Sequence, residues 1–374
     1  MTKDRELPET VRFLLNPTAY PHPVERVELV QTHISYVFLA GNFVYKMKKP
    51  VNFGFLNFIE PAKRRHFCQE ELRLNRRLCP EIYLDVWELN RAADGSLKLA
   101  EHHENDDQMI SPDHQLNFDR PSGHRNQAGN GEPVEYLVRM VRMPEVGMMA
   151  GVIARGELSA RHLDQITAKL VPFYRAAAGD PKVMALMGSV ETVALNVNEN
   201  LEQTTEFVGG PALSHAQFNL ISSYTHDFLR QEPLFRQRQE AGRICEGHGD
   251  LYSANICFAE NREKVYIFDC IEFNQRFRCC DVASDIAFLV MDLNFHGLSR
   301  LSRYFVEQFI IQTADPELSA MLPFYCCYRA YVRGKIGLFT AHAPEVDATT
   351  KEKSLEQAGR YFTLAEHYAR SHSF

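Results

Sequence analysis

The densest run of chemically useful side chains in this 374-residue sequence lies between His248 and Asp285. It begins His248-Gly249-Asp250-Leu251-Tyr252-Ser253-Ala254-Asn255 and resumes, after a short hairpin, at Ile267-Phe268-Asp269. A carboxylate in a tight turn can take or orient the proton of a hydroxyl. An amide shortly after it and a second carboxylate at a strand end supply hard oxygen atoms of the kind that suit Mg2+ beside phosphate. Each fragment alone would pass for a turn or a chance strand end. Together, in this order and spacing, they form a candidate site at which a hydroxyl and a metal-bound phosphate could be aligned. His248 would pack beneath the turn and hold its backbone.

Phosphate also needs a cation. Lys46 lies on a strand whose one face would carry Val44, Lys46 and Lys48, while Phe43, Tyr45 and Met47 point the other way. Lys46 is the first choice because its apolar flanks would make it the most enclosed, with Lys48 and Lys49 as rivals. Glu71 falls within the apolar stripe of a helix expected over Pro61 to Leu78, marked by Phe67, Leu74 and Leu78. A carboxylate on a buried face needs a partner, and a Lys46–Glu71 ion pair would provide it. Glu70 is the neighbouring alternative. The basic residues of the same segment, Arg64 among them, read as a solvated face.

The elements that would carry these residues follow from pattern. Extended segments are expected from Val24, at Tyr36–Leu39 and at Phe43–Met47, the last two joined by a hairpin at Ala40-Gly41-Asn42. Further strands are expected at Ile82–Leu89, Leu97–Leu99 and Val134–Met143. Residues 101–133 have almost no apolar periodicity and read as a long surface insertion. Beyond Pro144 the pattern is helical. One helix is capped at Ser159 with Leu163, Ile166, Leu170 and Phe173 inward, and another opens on a Ser214/Gln217 capping box. Helices are also expected at Ile286–Leu293, Leu301–Ile311, Phe324–Phe339 and Lys351–Tyr368. The fold class is therefore α+β, with a strand-rich part over residues 1–143 and a mainly helical part over 144–374.

Composition narrows the function. The net charge of −7 provides no basic field for nucleic acid and no polybasic cluster for an anionic membrane. No apolar run is long enough to span a bilayer. Nine cysteines, an odd number with no C-x-x-C, read as reduced thiols in the cytoplasm. No G-x-x-x-x-G-K-[ST] motif occurs.

The set H-G-D-L-x-x-x-N followed by an acid at a strand end resembles the H-R-D-L-x-x-x-N signature of protein kinases. More narrowly, THISYVFLAGNFVYKMKKPVNFGFLNF, RRHFCQEELRLNRRL, GHGDLYSANI and FDCIEFN…FRCCDVASDIAFLVMDL resemble a bacterial subgroup of the aminoglycoside phosphotransferase-like branch of the kinase-like superfamily. The resemblance covers about residues 25–335. It implies a two-lobe kinase-like fold with ATP between a roof and a floor, and transfer of the γ-phosphoryl group to a small-molecule hydroxyl. Asp250 would be the catalytic base, Asn255 and Asp269 the Mg2+ ligands, and Lys46 with Glu71 the phosphate-binding pair. Val44 would cover the adenine, Met140–Met143 would form the hinge, and Thr32 and Ser35 hydroxyls, or backbone amides, would contact phosphate in a roof loop without glycines. Asp285 would support the catalytic loop.

Some members of the subgroup carry an additional P-loop ATPase domain, which suggests a functional link. Gly249 in place of arginine, Asp269-Cys270-Ile271 in place of D-F-G, and the absence of A-P-E favour a constitutive small-molecule kinase over a regulated protein kinase. Glu272, Asn274, Arg276 and Arg278 could face the acceptor or the solvent. Arg329 and Arg333 share a helix face, expected to be solvated unless it binds an anionic acceptor. No acidic patch of the kind a polycationic aminoglycoside needs is apparent.

Overall fold

The computed structural model describes residues 7–102, 131–177, 179–259, 263–344, 346–371 and 374. Its chain divides after Met143 into two compact units, Met1–Met143 and Pro144–Phe374. The α+β class expected from the sequence is the one observed, with the strands of the large sheet all in the first unit and mostly helices in the second.

In the first unit, α1 (Glu9–Leu14) precedes six strands: β1 (Val27–Gln31), β2 (Ser35–Ala40), β3 (Phe43–Lys48), β4 (Tyr83–Arg91), β5 (Leu97–Glu101) and β6 (Glu132–Val141). They form one antiparallel sheet in the order β1-β2-β3-β6-β4-β5. The β2–β3 hairpin turns at Gly41-Asn42, where Gly41 has φ +62. Side chains alternate across the strands, so Tyr45 and Met47 of β3 enter a core with Val11, Leu14, Phe38, Trp87 and Leu137. Lys46 and Lys48 take the other face. Helix α2 (Pro61–Asn75) supplies Glu71 to the two lysines.

Helix α2 ends at Asn75, short of Leu78, and its inward stripe differs from the expected one. Arg64, Cys68, Glu71 and Asn75 are buried, whereas Phe67 is only half-buried. Arg64 is thus no surface residue. It donates through Nε and Nη2 to Glu135 of β6 at 2.8 and 2.7 Å, and through Nη1 to the carbonyls of Phe58 and Ile59. A bidentate pair with further carbonyl acceptors satisfies a guanidinium that burial would otherwise penalise. The expected insertion at 101–133 falls mostly outside the described residues.

The second unit contains α3 (Met149–Ala154), α4 (Ala160–Ala176), α5 (Pro181–Met187), α6 (Val190–Thr204), α7 (His215–Leu229) and α8 (Glu232–Glu240). The short strands β7 (Ile244–Glu246), β8 (Ile256–Ala259), β9 (Lys264–Ile267) and β10 (Cys279–Asp281), with α9 (Gln275–Arg278) before β10, come next. The chain closes with α10 (Val282–Phe295), α11 (Ser299–Thr313), α12 (Leu318–His342) and α13 (Ala348–Ser371). The expected Ser214/Gln217 capping box is present, and the Ser159 cap takes the form of a box with His162. Helix α10 is the centre of this unit: every residue from Val282 to Leu293 is buried. Strand β7 pairs with β10, and β8 pairs with β9. These two small ladders fix the ends of the segments that carry the chemistry. No described helix is long and apolar enough to cross a membrane.

Candidate active site

Each unit holds one part of the expected site. In the sheet unit, Glu71 is fully buried and its two oxygens are divided between two ammonium groups. Lys46 Nζ lies 2.8 Å from Oε1 and Lys48 Nζ 2.7 Å from Oε2. Burial alone would raise the Glu71 pKa, but the two lysines outweigh it and hold the carboxyl below its usual range. The Lys46–Glu71 contact is present, while the expectation that Lys46 is the most enclosed lysine is not met. The Lys48 side chain is 1% exposed against 13% for Lys46, because β3 carries Lys48 deeper, beneath the Phe58 ring at 5.1 Å. The second lysine was legible only as a rival, since two lysines sharing one carboxylate leave no separate mark in the sequence.

The other first-unit candidates are spread along the sheet. Val44 of β3 is half-buried and paired in register with Met140 of β6, which is buried. Met143 lies past the end of β6 and is half-buried. The roof hydroxyls are placed differently from expectation. Thr32 Oγ1 accepts from the amides of Ser35 (2.9 Å) and Ile34 (3.3 Å), so it closes the β1–β2 turn. Thr32 is exposed, whereas Ser35 is fully buried opposite Lys48 in the strand register, which keeps its hydroxyl from a ligand at the surface.

In the helical unit the chemistry sits at strand ends. The loop His248–Asp250 follows β7, Asn255 precedes β8 and Asp269 follows β9. His248 is fully buried and joins the two acids. Its Nδ1 accepts the Asp250 amide at 3.2 Å, so Nε2 carries the ring proton and donates it to the Phe268 carbonyl at 2.9 Å. His248 therefore holds backbone on both sides. These are the hydrogen bonds expected of a residue that packs beneath the turn and holds its backbone.

Asp285 of α10 clamps the same loop, accepting from the amides of His248 (2.6 Å) and Gly249 (2.8 Å) and from the Tyr174 hydroxyl (2.9 Å). Gly249 has φ +86, and a Cβ there would meet the Phe277 carbonyl at 2.9 Å. The arginine of the protein-kinase signature does not fit this turn. Arg329, expected on a solvated face, is buried instead. It donates to the carbonyls of Ser284 and Gly249 at 3.1 Å and to Ser284 Oγ at 3.2 Å.

Asn255 Nδ2 donates to the Asp250 backbone carbonyl (2.9 Å) and to Asp250 Oδ2 (3.0 Å). The amide nitrogen is thereby committed, and the amide oxygen is the atom left to offer a cation. Asp269 has φ +64, an uncommon backbone for a residue with a side chain, and such outliers gather where geometry serves chemistry. Asp250 is pushed up to about 6, first by desolvation and further by Asp269, against the pull of Arg333, Arg329 and Asn255. A base with that value is half-ionised just below neutrality.

The residues after Asp269 are mostly structural. Glu272 is buried, and Asn274 caps α9 through the Arg276 amide. Arg276 pairs with Glu199, and Arg278 with Glu246. Asp281 caps α10 and pairs with Arg238.

No family model matches the chain. Uncharacterised proteins of Mycobacterium tuberculosis and Mycobacterium bovis are each 29% identical over 337 residues, 88% of this chain. The chain spans 59% of the length of these relatives. Among solved structures, an amicoumacin kinase in complex with AMP-PNP, Ca2+ and its ligand is similar at TM-score 0.49 and 13% identity, covering 96% of this chain and 94% of that one. A choline/ethanolamine kinase family protein from Mesorhizobium loti gives 0.45 and 12%, covering 96% and 97%. A glucosamine kinase in complex with glucosamine, ADP and phosphate gives 0.43 and 14%, covering 91% and 76%.

Proposed function

We propose that this chain is an ATP- and Mg2+-dependent phosphotransferase that moves the γ-phosphoryl group to the hydroxyl of a small molecule. The observation that carries this reading is the frame around Asp250. A carboxylate with a raised pKa is hydrogen-bonded to Asn255 and linked through His248 to the strand end that bears Asp269. Asp250 accepts or orients the acceptor hydroxyl. Asn255 and Asp269 hold Mg2+ through an amide oxygen and a carboxylate, a hard donor set that fits this ion. The bound ion would supply charge neutralisation on the phosphates.

Lys46, the more exposed of the two lysines on Glu71, reaches the phosphates, while Lys48 stays with the carboxylate. Val44 and the Met140–Met143 segment receive the adenine. Thr32 and Ser35 side chains have no part in this proposal.

The test is phosphate transfer from Mg-ATP into a metabolite extract, wild type beside Asp250→Asn, read by mass spectrometry. A phosphorylated species made by the wild type and lost, by about 100-fold or more, in the variant is expected. Its formation should also fall below about pH 6, as Asp250 takes up a proton. ATP that is neither consumed nor able to raise the melting temperature in the presence of Mg2+ would sink the assignment.

A further inference from the structure

The charge of the acceptor can be read from the groups surrounding Asp250, given the phosphotransferase assignment above. The carboxylates that meet the Asp250 loop or the arginines following Asp269 are already committed. Glu199 takes two contacts from Arg276 at 3.0 and 2.9 Å, and Glu246 pairs with Arg278 at 3.0 Å. Asp285 holds three donors, and Asp292 accepts the Ser253 amide at 3.0 Å. A cationic acceptor would have to compete for each of them.

The cations are not matched in the same way. Arg329 is used by the carbonyls and hydroxyl that fix the loop. Arg333, one turn further along α12, has no carboxylate within ion-pair distance among the described residues. Its Nε is buried with no hydrogen-bond partner. The guanidinium is held by rings instead, 4.8 Å over Tyr252 and 5.5 Å over Tyr361. Arg333 is also the strongest favourable charge acting on Asp250. A guanidinium fixed by aromatic faces loses little freedom on meeting a ligand, and its planar fork suits a carboxylate or a phosphate.

We propose that the acceptor is an anionic hydroxy compound whose carboxylate or phosphate group docks on Arg333 while its hydroxyl meets Asp250. In the transfer, the acceptor oxygen bonds to the γ phosphorus as the bond to the bridging oxygen breaks. The electron pair leaves with ADP, and the hydroxyl proton passes to Asp250.

The experiment separates a metabolite extract by charge on anion and cation exchangers and offers each fraction to the full chain with Mg-ATP. A phosphorylated product from the anion-exchanger-retained fraction is expected. Treating that fraction beforehand with a phosphatase removes the acceptor if it carries phosphate and spares it if it carries carboxylate. With the acceptor in hand, Arg333→Met should raise its KM about tenfold or more and leave the KM for ATP within about twofold. Arg333→Lys, which keeps the charge and loses the fork, should recover part of the loss and guards against a variant that does not fold.

Product arising only from the cation-retained or unretained fractions, or from none, overturns the proposal. So does a fall in kcat with the acceptor KM unchanged, which would place Arg333 on the moving phosphoryl group. If ATP with Mg2+ neither binds nor is consumed, the phosphotransferase assignment has failed, and a thermal shift measurement reads that outcome separately.

Discussion

Glu71 in the sheet unit and Asp250 in the helical unit are enclosed carboxylates pushed in opposite directions. Glu71 shares its oxygens between two ammonium groups and is held ionised. Asp250 has only an amide donor on its side chain, with guanidinium groups acting from a distance and Asp269 opposing them, and it is pushed up. Burial raises both; the charge of the immediate partner decides the outcome. The first arrangement fixes the position of a lysine, and the second leaves a carboxyl that changes charge near pH 6.

The contrast is broken most severely by Glu71→Ala. Two lysines, one of them almost fully enclosed, would then face one another without a counter-charge, and the fold should lose about 3–5 kcal/mol. Chemical denaturation of wild type and variant reads this directly. A loss below about 1 kcal/mol would mean that the lysines reach other anions or solvent and that the pairing is not what fixes them.

Asp250→Asn should act with the opposite sign. A folded pKa raised from 3.8 to about 6 means that the stability associated with the carboxyl is fully present below pH 3.8 and lost as pH rises through 6. The asparagine variant, in Mg2+-free buffer, should therefore become more stable than wild type between about pH 4 and 6. It should remain about 1–3 kcal/mol more stable above that range. Equal melting temperatures at pH 8 would show that Asp250 is not destabilised by its surroundings.

The smallest effect sharpens the comparison within the sheet unit. Lys48→Met should cost about 1 kcal/mol more stability than Lys46→Met, since Lys48 is the more enclosed donor to Glu71. Lys46→Met should carry the larger rise in the KM for ATP. Reversal of both differences would exchange the roles of the two lysines.

Features set by local rules were legible in the sequence: the Gly41-Asn42 turn, the Ser159 cap of α4, the capping box of α7, and the run from His248 to Asn255. Features that depend on remote partners were not. Arg64 occupies the buried stripe of α2 because Glu135, 71 residues away, meets it there. An apolar-period search passes over a charged inward residue, although the spacing 64, 68, 71, 75 was present to be read. Helix α6 escaped for a similar reason, because its buried positions include Thr192, Asn200 and Thr204 as well as Val197 and Leu201. Asn200 and Gln203 on that helix receive the Lys335 ammonium, an arrangement no pattern of apolar residues announces. Arg329 looked like surface because its acceptors, the Ser284 and Gly249 carbonyls, are main-chain atoms with no signature of their own.

The grip of Asp285 on the His248–Asp250 loop bears on how this site can change over generations. Gly247 approaches that carboxylate so closely that a Cβ would sit 2.5 Å from Oδ2, while Gly249 occupies a left-handed turn beside the Phe277 carbonyl. Neither can gain a side chain without shifting the loop, Gly247 against α10 and Gly249 against Phe277 and Ile271. Around them lie Leu251, Cys270 and Ile271, whose apolar bulk can be exchanged for other bulk of similar volume. The narrowest mutational tolerance thus falls on two positions with no side chain at all, so change is freer on α6, α9 and α12 than in the loop that bears Asp250.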